Sequence, residues 1–425
     1  TLRKFELNVY YCFLYSFSLA ILAYPSAGTP YVDHQSSYLS VMAVLSFILA
    51  MRTNSKIWWF VLPILLALSF LTKQTPAGYI FLIICFLSLI HFIFNFDLEK
   101  ILMGVFGSIL IILIFLIFLH LGKIPLKSFL EQYIFFPMTL GGSRVGDGFL
   151  FPLEFQRIIL RFKLIHLSGA LLLFIGIKNT IHNYKYLISN EFLIIFSLIS
   201  LTFILIAHQL MTLNGIYIYF LIPILTGFSH IYFDKYFKNK KYIFYTLILI
   251  CIASTIYYGY KYINKRNFMD LNNVDLSKSI DAKFFDKKLK GLKWITPKYP
   301  NDPKGEMLKL ENVIKIIKND YSTKAIITDY QFISVILSTY DNSPNKVWNS
   351  FHVYPTKGDK YFEVYRNFFI DKIRNRKVET IYTVKPFFRD NEVLKDIFEY
   401  NCLEMIKIND ILDKYLVKDC EQIRN

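Results

Sequence analysis

The sequence from Ile101 to Gly122 is ILMGVFGSILIILIFLIFLHLG, and it contains no Asp, Glu, Lys or Arg. An apolar run of about 17 to 25 residues crosses a bilayer as a helix, because lipid offers no hydrogen-bond partner to an exposed backbone. This stretch therefore predicts a transmembrane helix, and eight further apolar stretches flank it. The nine segments are Asn8–Tyr24, Tyr38–Met51, Ile57–Thr72, Ala77–Phe96, Ile101–Gly122, Leu164–Ile177, Glu191–Ala207, Gly215–Phe233 and Tyr242–Tyr260.

The second, third and sixth segments are short for a bilayer. We expect them to be tilted members of a bundle, or one of them to be re-entrant, so the prediction is about nine transmembrane helices. The charges divide the chain further: residues 261–425 contain 30 of the 48 Lys and Arg residues and 23 of the 32 Asp and Glu residues. The sequence thus predicts a polytopic α-helical membrane domain over residues 1–260 and a soluble α/β domain over residues 261–425.

The basic residues also predict an orientation. The short loops on one side of the bundle contain eleven of them, whereas the short connections 25–37, 73–76 and 208–214 on the other side contain only Lys73. Basic loops stay in the cytoplasm, so residues 261–425 should be extracytoplasmic. The loop 123–163 is amphipathic, and we expect it to lie in the membrane interface against anionic lipid. The net charge of +16 argues weakly for nucleic acid, because the soluble part mixes 30 basic with 23 acidic residues and the rest of the surplus lies in loops between apolar segments.

The soluble domain alternates helical and strand patterns, which favours a largely parallel sheet. The predicted strands are Lys324–Tyr330 and Val378–Val384, and no nucleotide-binding motif occurs. Near the end, two alternating stretches flank an Asn-Asp turn, and a hairpin there would bring Cys402 and Cys420 face to face. That disulfide would require an oxidising compartment. The alternative is two unrelated buried thiols.

Candidate site residues occur in the outer connections. In PYVDHQSS, residues 30–37, Asp33 and His34 stand where the chain re-enters the membrane, followed by Gln35 and Ser36. An ionisable residue at that depth is a functional hypothesis by default. The pair could hold a divalent cation or orient a hydroxyl. Alternatively, Asp33 caps a helix that begins near Ser36.

Lys73, followed by Gln74, interrupts two apolar segments. Its ammonium suits a phosphate, and the alternative is a lysine whose charge merely reaches the interface. His208, Gln209 and Asn214 bracket another outer connection, for which hydrogen bonding to Tyr217 and Tyr219 is the favoured interpretation. In the Gly-rich turn 141–148, Arg144 and Asp147 could close over a lipid headgroup, although a flexible turn is the simpler interpretation.

The motifs PYVDHQSS, LTKQTPAGY (residues 71–79) and NGIYIYFLIP (residues 214–223) resemble those of the GT-C class of membrane glycosyltransferases. The resemblance covers roughly residues 1–260 and is greatest to the family 39 and RgtA-like group, related to protein mannosyltransferases and aminoarabinose transferases. It implies a transfer of sugar from a polyprenyl-phosphate-linked donor to a cell-envelope acceptor, on the extracytoplasmic face of a bacterial inner membrane.

In that class the main catalytic carboxylate lies in the first outer loop, and a second acid follows the third helix. The resemblance matches Asp33 to the second acid and Lys73 to a phosphate-contacting residue. The first acidic loop is missing here and the chain begins with Thr1, so we expect two helices and that loop to lie upstream. The alternatives are a transporter or flippase of a lipid-linked or anionic substrate, and a noncatalytic membrane anchor for the soluble domain.

Overall fold

The computed structural model describes residues 1–24, 31–138, 156–212, 218–237, 241–264, 271, 274–339, 342–343, 357–385 and 392–420. The chain forms two compact units. One unit combines Thr1–Pro125 with Phe149–Met269, and the other combines Leu126–Gly148 with Asp270–Asn425. The second unit therefore includes part of the loop that the sequence assigned to the membrane interface. In that part, the Phe135 ring stacks on Tyr361 at 6.1 Å between centroids, so this ring contacts protein.

The first unit is a helix bundle. Each of the nine predicted segments overlaps one helix among the described residues. The helices are α1 Val9–Leu22, α2 Val32–Arg52, α3 Ile57–Thr72, α4 Gln74–Phe94, α5 Leu98–Leu121, α6 Lys163–His182, α7 Asn190–Thr212, α8 Leu221–Tyr236 and α9 Lys241–Gly259.

Six helices of the described chain are long and apolar enough to cross a membrane, namely α2, α4, α5, α6, α7 and α9. The prediction that the second and sixth segments are short was wrong, because α2 has 21 residues and α6 has 20. Polar residues at the ends of both helices lower the local hydropathy but still continue the helix. In α2 these residues are buried in the bundle, where protein groups replace water as their partners.

Burial distinguishes a central helix from a peripheral one. Helix α2 is mostly buried, with Ala43, Phe47 and Ile48 completely enclosed. Helix α5 is mostly exposed, although it has the highest mean hydropathy of the six candidate membrane spans, and Phe106 and Phe118 are more than half exposed. A continuous exposed apolar surface of this kind is stable in hydrocarbon rather than in water.

Polar contacts join helix ends at one end of the bundle, which we call the Arg52 end. The Arg52 Nε donates to the Lys4 carbonyl over 3.2 Å, and the Asn190 side chain donates to the Met51 carbonyl over 3.5 Å. The Asn190 side chain also bonds His91 over 3.2 Å. These residues belong to loops and helix ends that the charge pattern assigned to one side, so their proximity agrees with alternating helix directions.

The second unit contains a four-stranded sheet in the order β3-β4-β6-β5 and a small ladder of β1 and β2. The strands are β1 Ile280–Asp281, β2 Lys293–Trp294, β3 Lys324–Thr328, β4 Thr380–Val384, β5 Leu403–Lys407 and β6 Leu412–Val417. The prediction of a largely parallel sheet was wrong: β3 and β4 are parallel, but β6 is antiparallel to both β4 and β5. The tight turn between β5 and β6 forces their antiparallel pairing.

Helices cover both faces of this sheet, because its side chains alternate. They are α10 Pro303–Asn319, α11 Phe332–Ile336, α12 Phe362–Asn375 and α13 Glu392–Ile397. Leu310 and Val313 of α10 pack with Tyr382 on one face. Phe369 of α12 packs with Ile381 on the other. At the open end of the β5–β6 hairpin, Cys402 and Cys420 form a disulfide, with 5.3 Å between their Cα atoms.

Candidate functional site

Asp33 lies in the first turn of α2 and is only 5% exposed. Because α2 begins at Val32 after the N-cap Tyr31, Asp33 is inside the helix and does not cap a helix starting near Ser36. A carboxylate removed from water needs charged or hydrogen-bonding partners. Helices α3, α4 and α7 supply them.

Lys73 is the single residue between α3 and α4, and its ammonium forms an ion pair with Asp33 Oδ1. The Lys73 side chain is 21% exposed, compared with 7% for that of Asp33. The pair is therefore mostly enclosed but accessible from the lysine side. The alternative of a lysine that only reaches the interface does not describe this contact.

His208 completes the cluster from the C-terminal part of α7. Its Nε2 lies 3.0 Å from Asp33 Oδ1, and the residue is 2% exposed. Because an ionised carboxylate only accepts hydrogen bonds, Nε2 carries the proton and donates it. The favoured sequence interpretation of His208 was therefore incomplete: Asp33 is a direct partner. Tyr219 stacks on Tyr258 at 3.6 Å between centroids, and Tyr217 lies outside the described residues.

A serine network, which the sequence analysis missed, fixes α2 against α3. The Ser69 hydroxyl donates to the Ser36 carbonyl over 2.8 Å, and the hydroxyls of Ser40 and Ser69 are 2.8 Å apart. The Ser36 hydroxyl also reaches the Lys73 carbonyl over 3.3 Å. Small hydroxyl residues let two membrane helices approach closely and bond. The network therefore positions Asp33 beside Lys73. Its signal in the sequence was a run of serines in an apolar segment.

The other predicted residues of these helices differ in burial. His34 is buried, and its ring lies between those of Tyr31 and Tyr38, with centroids 5.9 and 6.1 Å away. Gln35 is exposed, whereas Gln209 is only 3% exposed. Within the described parts of the chain, neither polar atom of the Gln209 amide has a hydrogen-bond partner. Arg144, Asp147 and Asn214 lie outside the described residues.

Gln74 lines an apolar groove between α3 and α4, directly after Lys73, the residue that joins the two helices. The groove has a volume of about 530 Å³. Its walls are Leu66, Ala67, Phe70, Gln74, Thr75, Gly78, Tyr79, Phe81 and Leu82. A cavity of this size is in the range of small-molecule sites, about 300 to 1,000 Å³.

The cluster does not resemble a metal site. Among the described residues there is no group of three or more His, Cys, Asp or Glu side chains that could hold a metal ion. The ammonium of Lys73 lies at Asp33, where it would repel a cation, so the hypothesis of a divalent ion at Asp33 gains no support. The ammonium of Lys73 has three N–H donors, of which Asp33 Oδ1 takes one, so the others are instead suited to an anionic group such as a phosphate. Comparison of the chain with protein-family models, with curated proteins and with solved structures gives no match.

Proposed function

We propose that this protein is a membrane glycosyltransferase that transfers a sugar from a polyprenyl-phosphate-linked donor to a glycan, lipid or protein of the cell envelope. The observation that carries the proposal is the convergence of Asp33, Lys73 and His208 from three parts of the bundle. Each lies within about one turn of a helix end, because Asp33 is the second residue of α2, Lys73 follows α3, and α7 ends four residues after His208.

In such a transfer, the bond between the sugar's anomeric carbon and a phosphate oxygen breaks, and the bond to the acceptor oxygen forms. The acceptor's proton passes to a base, and the lipid phosphate leaves with the bonding electrons. Lys73 holds that phosphate, since a positive donor aimed at developing negative charge lowers the barrier. Asp33 is a positioning residue, because its Oδ1 holds the Lys73 ammonium, and His208 in turn holds Asp33 through Nε2.

The groove between α3 and α4 suits the hydrocarbon chain of the same donor. Its lining residues Gln74 and Thr75 directly follow Lys73, so a lipid in the groove would carry its phosphate to the ammonium. The charge pattern of the loops supports an extracytoplasmic site. A transporter usually binds its substrate near the midplane of the membrane, whereas this cluster lies at helix ends, so transport is the weaker candidate.

The test measures sugar transfer from a polyprenyl-phosphate-linked donor by membranes that contain the full-length protein. Lys73→Ala should lower the rate roughly 100-fold, the scale for loss of one such donor, and Asp33→Asn should also lower it. The matched control is Lys56→Ala, because Lys56 pairs with Glu99 at the Arg52 end and is 46% exposed.

Wild-type rates in both Lys73→Ala and Asp33→Asn would remove these residues from the mechanism. Movement of intact donor across the membrane without transfer would indicate a flippase instead.

A further inference from the structure

Among the described residues, four of the twelve buried side-chain polar atoms without a hydrogen-bond partner belong to residues close to Asp33 or His208 in the sequence. They are His34 Nδ1, Ser37 Oγ and both polar atoms of Gln209. These residues are 3%, 0% and 3% exposed. Buried side-chain polar atoms nearly always have a partner, so each exception calls for an explanation. Several exceptions at one place indicate a missing partner that they share.

The residues that carry these atoms lie close to the cluster along α2 and α7. Ser37 lies four residues after Asp33 in α2 and therefore on the same side of the helix, one turn further in. His34 adjoins Asp33, and Gln209 adjoins His208, whose Nε2 is 3.0 Å from Asp33. The unmatched amide, imidazole and hydroxyl thus belong to residues within one helical turn of Asp33 on α2 or of His208 on α7.

The chemistry of these groups indicates the ligand. An amide offers two donors and an acceptor, a hydroxyl offers both functions, and an imidazole nitrogen offers one or the other. None of the three brings a fixed charge, and the positive charge for a phosphate is already supplied by Lys73. Their complement is a set of uncharged hydroxyl groups.

We propose that His34, Ser37 and Gln209 form a subsite for the donor's sugar, and that this sugar is a neutral polyhydroxyl ring without a carboxylate or an amine. The inference rests on the proposed function and names its substrate class. The phosphate lies on Lys73, and the sugar hydroxyls bond the amide of Gln209, the imidazole of His34 and the hydroxyl of Ser37. The subsite distinguishes a neutral sugar from other ligands because buried polar groups reject a ligand that leaves them without hydrogen bonds.

The test separates stability from binding. In Gln209→Met, an amide without partners is replaced by a side chain of similar size, so the purified protein without ligand should melt at a higher temperature. The same variant should bind polyprenyl-phosphate-linked glucose at least about tenfold more weakly, because hydrogen bonds to the sugar are lost. It should bind polyprenyl phosphate without a sugar as the wild type does.

The chain offers a matched control in Thr180, whose hydroxyl also lacks a partner among the described residues. Thr180 lies near the N-terminal end of α7, far from His208 at the other end. Its neighbour Asn179 donates to the Tyr236 hydroxyl over 3.2 Å, and that hydroxyl donates to Glu191 at the start of α7. Thr180→Val should leave the binding of both lipids unchanged. Ser37→Ala, a smaller change, should weaken only the sugar-bearing lipid.

Wild-type affinity of both Gln209→Met and Ser37→Ala for the glucose donor would overturn the subsite, as would tighter binding of an amino-sugar donor than of the glucose donor. The proposed function would survive that result if Lys73→Ala still weakened polyprenyl phosphate itself. If the wild type bound neither lipid, the proposed function would fail as well.

Discussion

At the scale of single residues, Asp33 shows how a buried carboxylate is tolerated in a membrane bundle. Its partners come from positions 40 and 175 residues away in the sequence, Lys73 and His208. Removing one member of a buried ion pair costs more than the pair contributes, because the remaining charge is left without compensation. The cluster should therefore respond to single and double substitutions in different ways.

Lys73→Met should destabilise the purified protein toward the lower end of ~3–5 kcal/mol, since Lys73 is 21% exposed. The double variant Asp33→Asn with Lys73→Met should recover part of the loss, because no buried charge remains. Thermal melting in detergent measures both, and Lys56→Met, from the exposed pair with Glu99, should cost no more than about 1 kcal/mol. Equal losses for Lys73→Met and Lys56→Met would contradict the burial argument.

In the second unit, Asp320 is likewise a carboxylate held by several donors. Lys414 Nζ lies 2.8 Å from Oδ2, the Tyr382 hydroxyl donates to the same oxygen, and the Ser322 amide donates to Oδ1 over 2.8 Å. Burial alone would raise the pKa of this carboxyl, but the hydrogen bonds from Lys414, Tyr382 and Ser322 outweigh it and hold the pKa below its usual range. The carboxylate therefore stabilises the fold only while it is ionised.

Asp320→Asn should cost about 1.5 to 3 kcal/mol at neutral pH, the scale for hydrogen bonds to a charged group. The folded pKa lies below the unfolded value of about 3.9, so the stabilisation is complete above that value and is lost as pH falls through the folded pKa. The difference in hydrogen exchange of β4 and β6 between variant and wild type should thus be constant from about pH 7 to 5 and shrink below about pH 4. If the difference in hydrogen exchange between variant and wild type grew as the pH was lowered, the predicted direction would be wrong. Asp371→Asn, at an exposed pair with Arg374, is the control.

At the scale of elements, the contact between α3 and α5 depends on a glycine. A Cβ atom built on Gly107 would lie 2.1 Å from the Phe60 carbonyl oxygen and 3.0 Å from Pro63 Cγ. One built on Gly104 would lie 3.7 Å from the Trp59 carbonyl oxygen, which is an ordinary contact. Two glycines of one helix therefore differ in function: Gly107 permits close approach of the backbones, and Gly104 does not need to be a glycine.

Gly107→Ala should lower the melting temperature of the purified protein, because α3 and α5 must separate. Gly104→Ala should be neutral or raise it, since alanine favours a helix over glycine by about 1 kcal/mol. Thermal melting of the Gly107→Ala and Gly104→Ala variants in the same detergent tests this difference. An equal response at both positions would show that the helices are not in contact at Gly107.

Prediction from the sequence succeeded for the positions of the helices and failed for their extents and mutual contacts. Hydropathy located the nine helices of 14 or more residues that the structure describes in the first unit, because the number of apolar residues in a row is a local property. It did not give the extent of α2, whose first turn is polar, or the partner of His208, which depends on how α2 and α7 pack. The serine network was missed for the same reason. A hydroxyl in an apolar segment is recognisable only when the helix opposite is known, as Ser69 is for Ser40.

At the scale of the whole molecule, the prediction concerns sidedness. Ser55 and Lys123 are both exposed and lie near opposite ends of the bundle, after α2 and after α5. In a background without Cys12, Cys85 and Cys251, a membrane-impermeant thiol reagent should label Lys123→Cys in intact cells. It should label Ser55→Cys only after permeabilisation, since basic loops remain in the cytoplasm. The reverse pattern would place the Asp33 cluster inside the cell and exclude an extracytoplasmic transfer.

The disulfide between Cys402 and Cys420 has a consequence for solubility. Among the described strands, β5 is the edge strand of the four-stranded sheet, and Met405 and Ile406 on it are exposed. An uncovered edge strand is a template onto which a neighbouring molecule can add its own strand. The covalent link fastens β5 to the strand beside it, so a reducing agent should convert the detergent-purified protein from a single species into higher assemblies on size-exclusion chromatography.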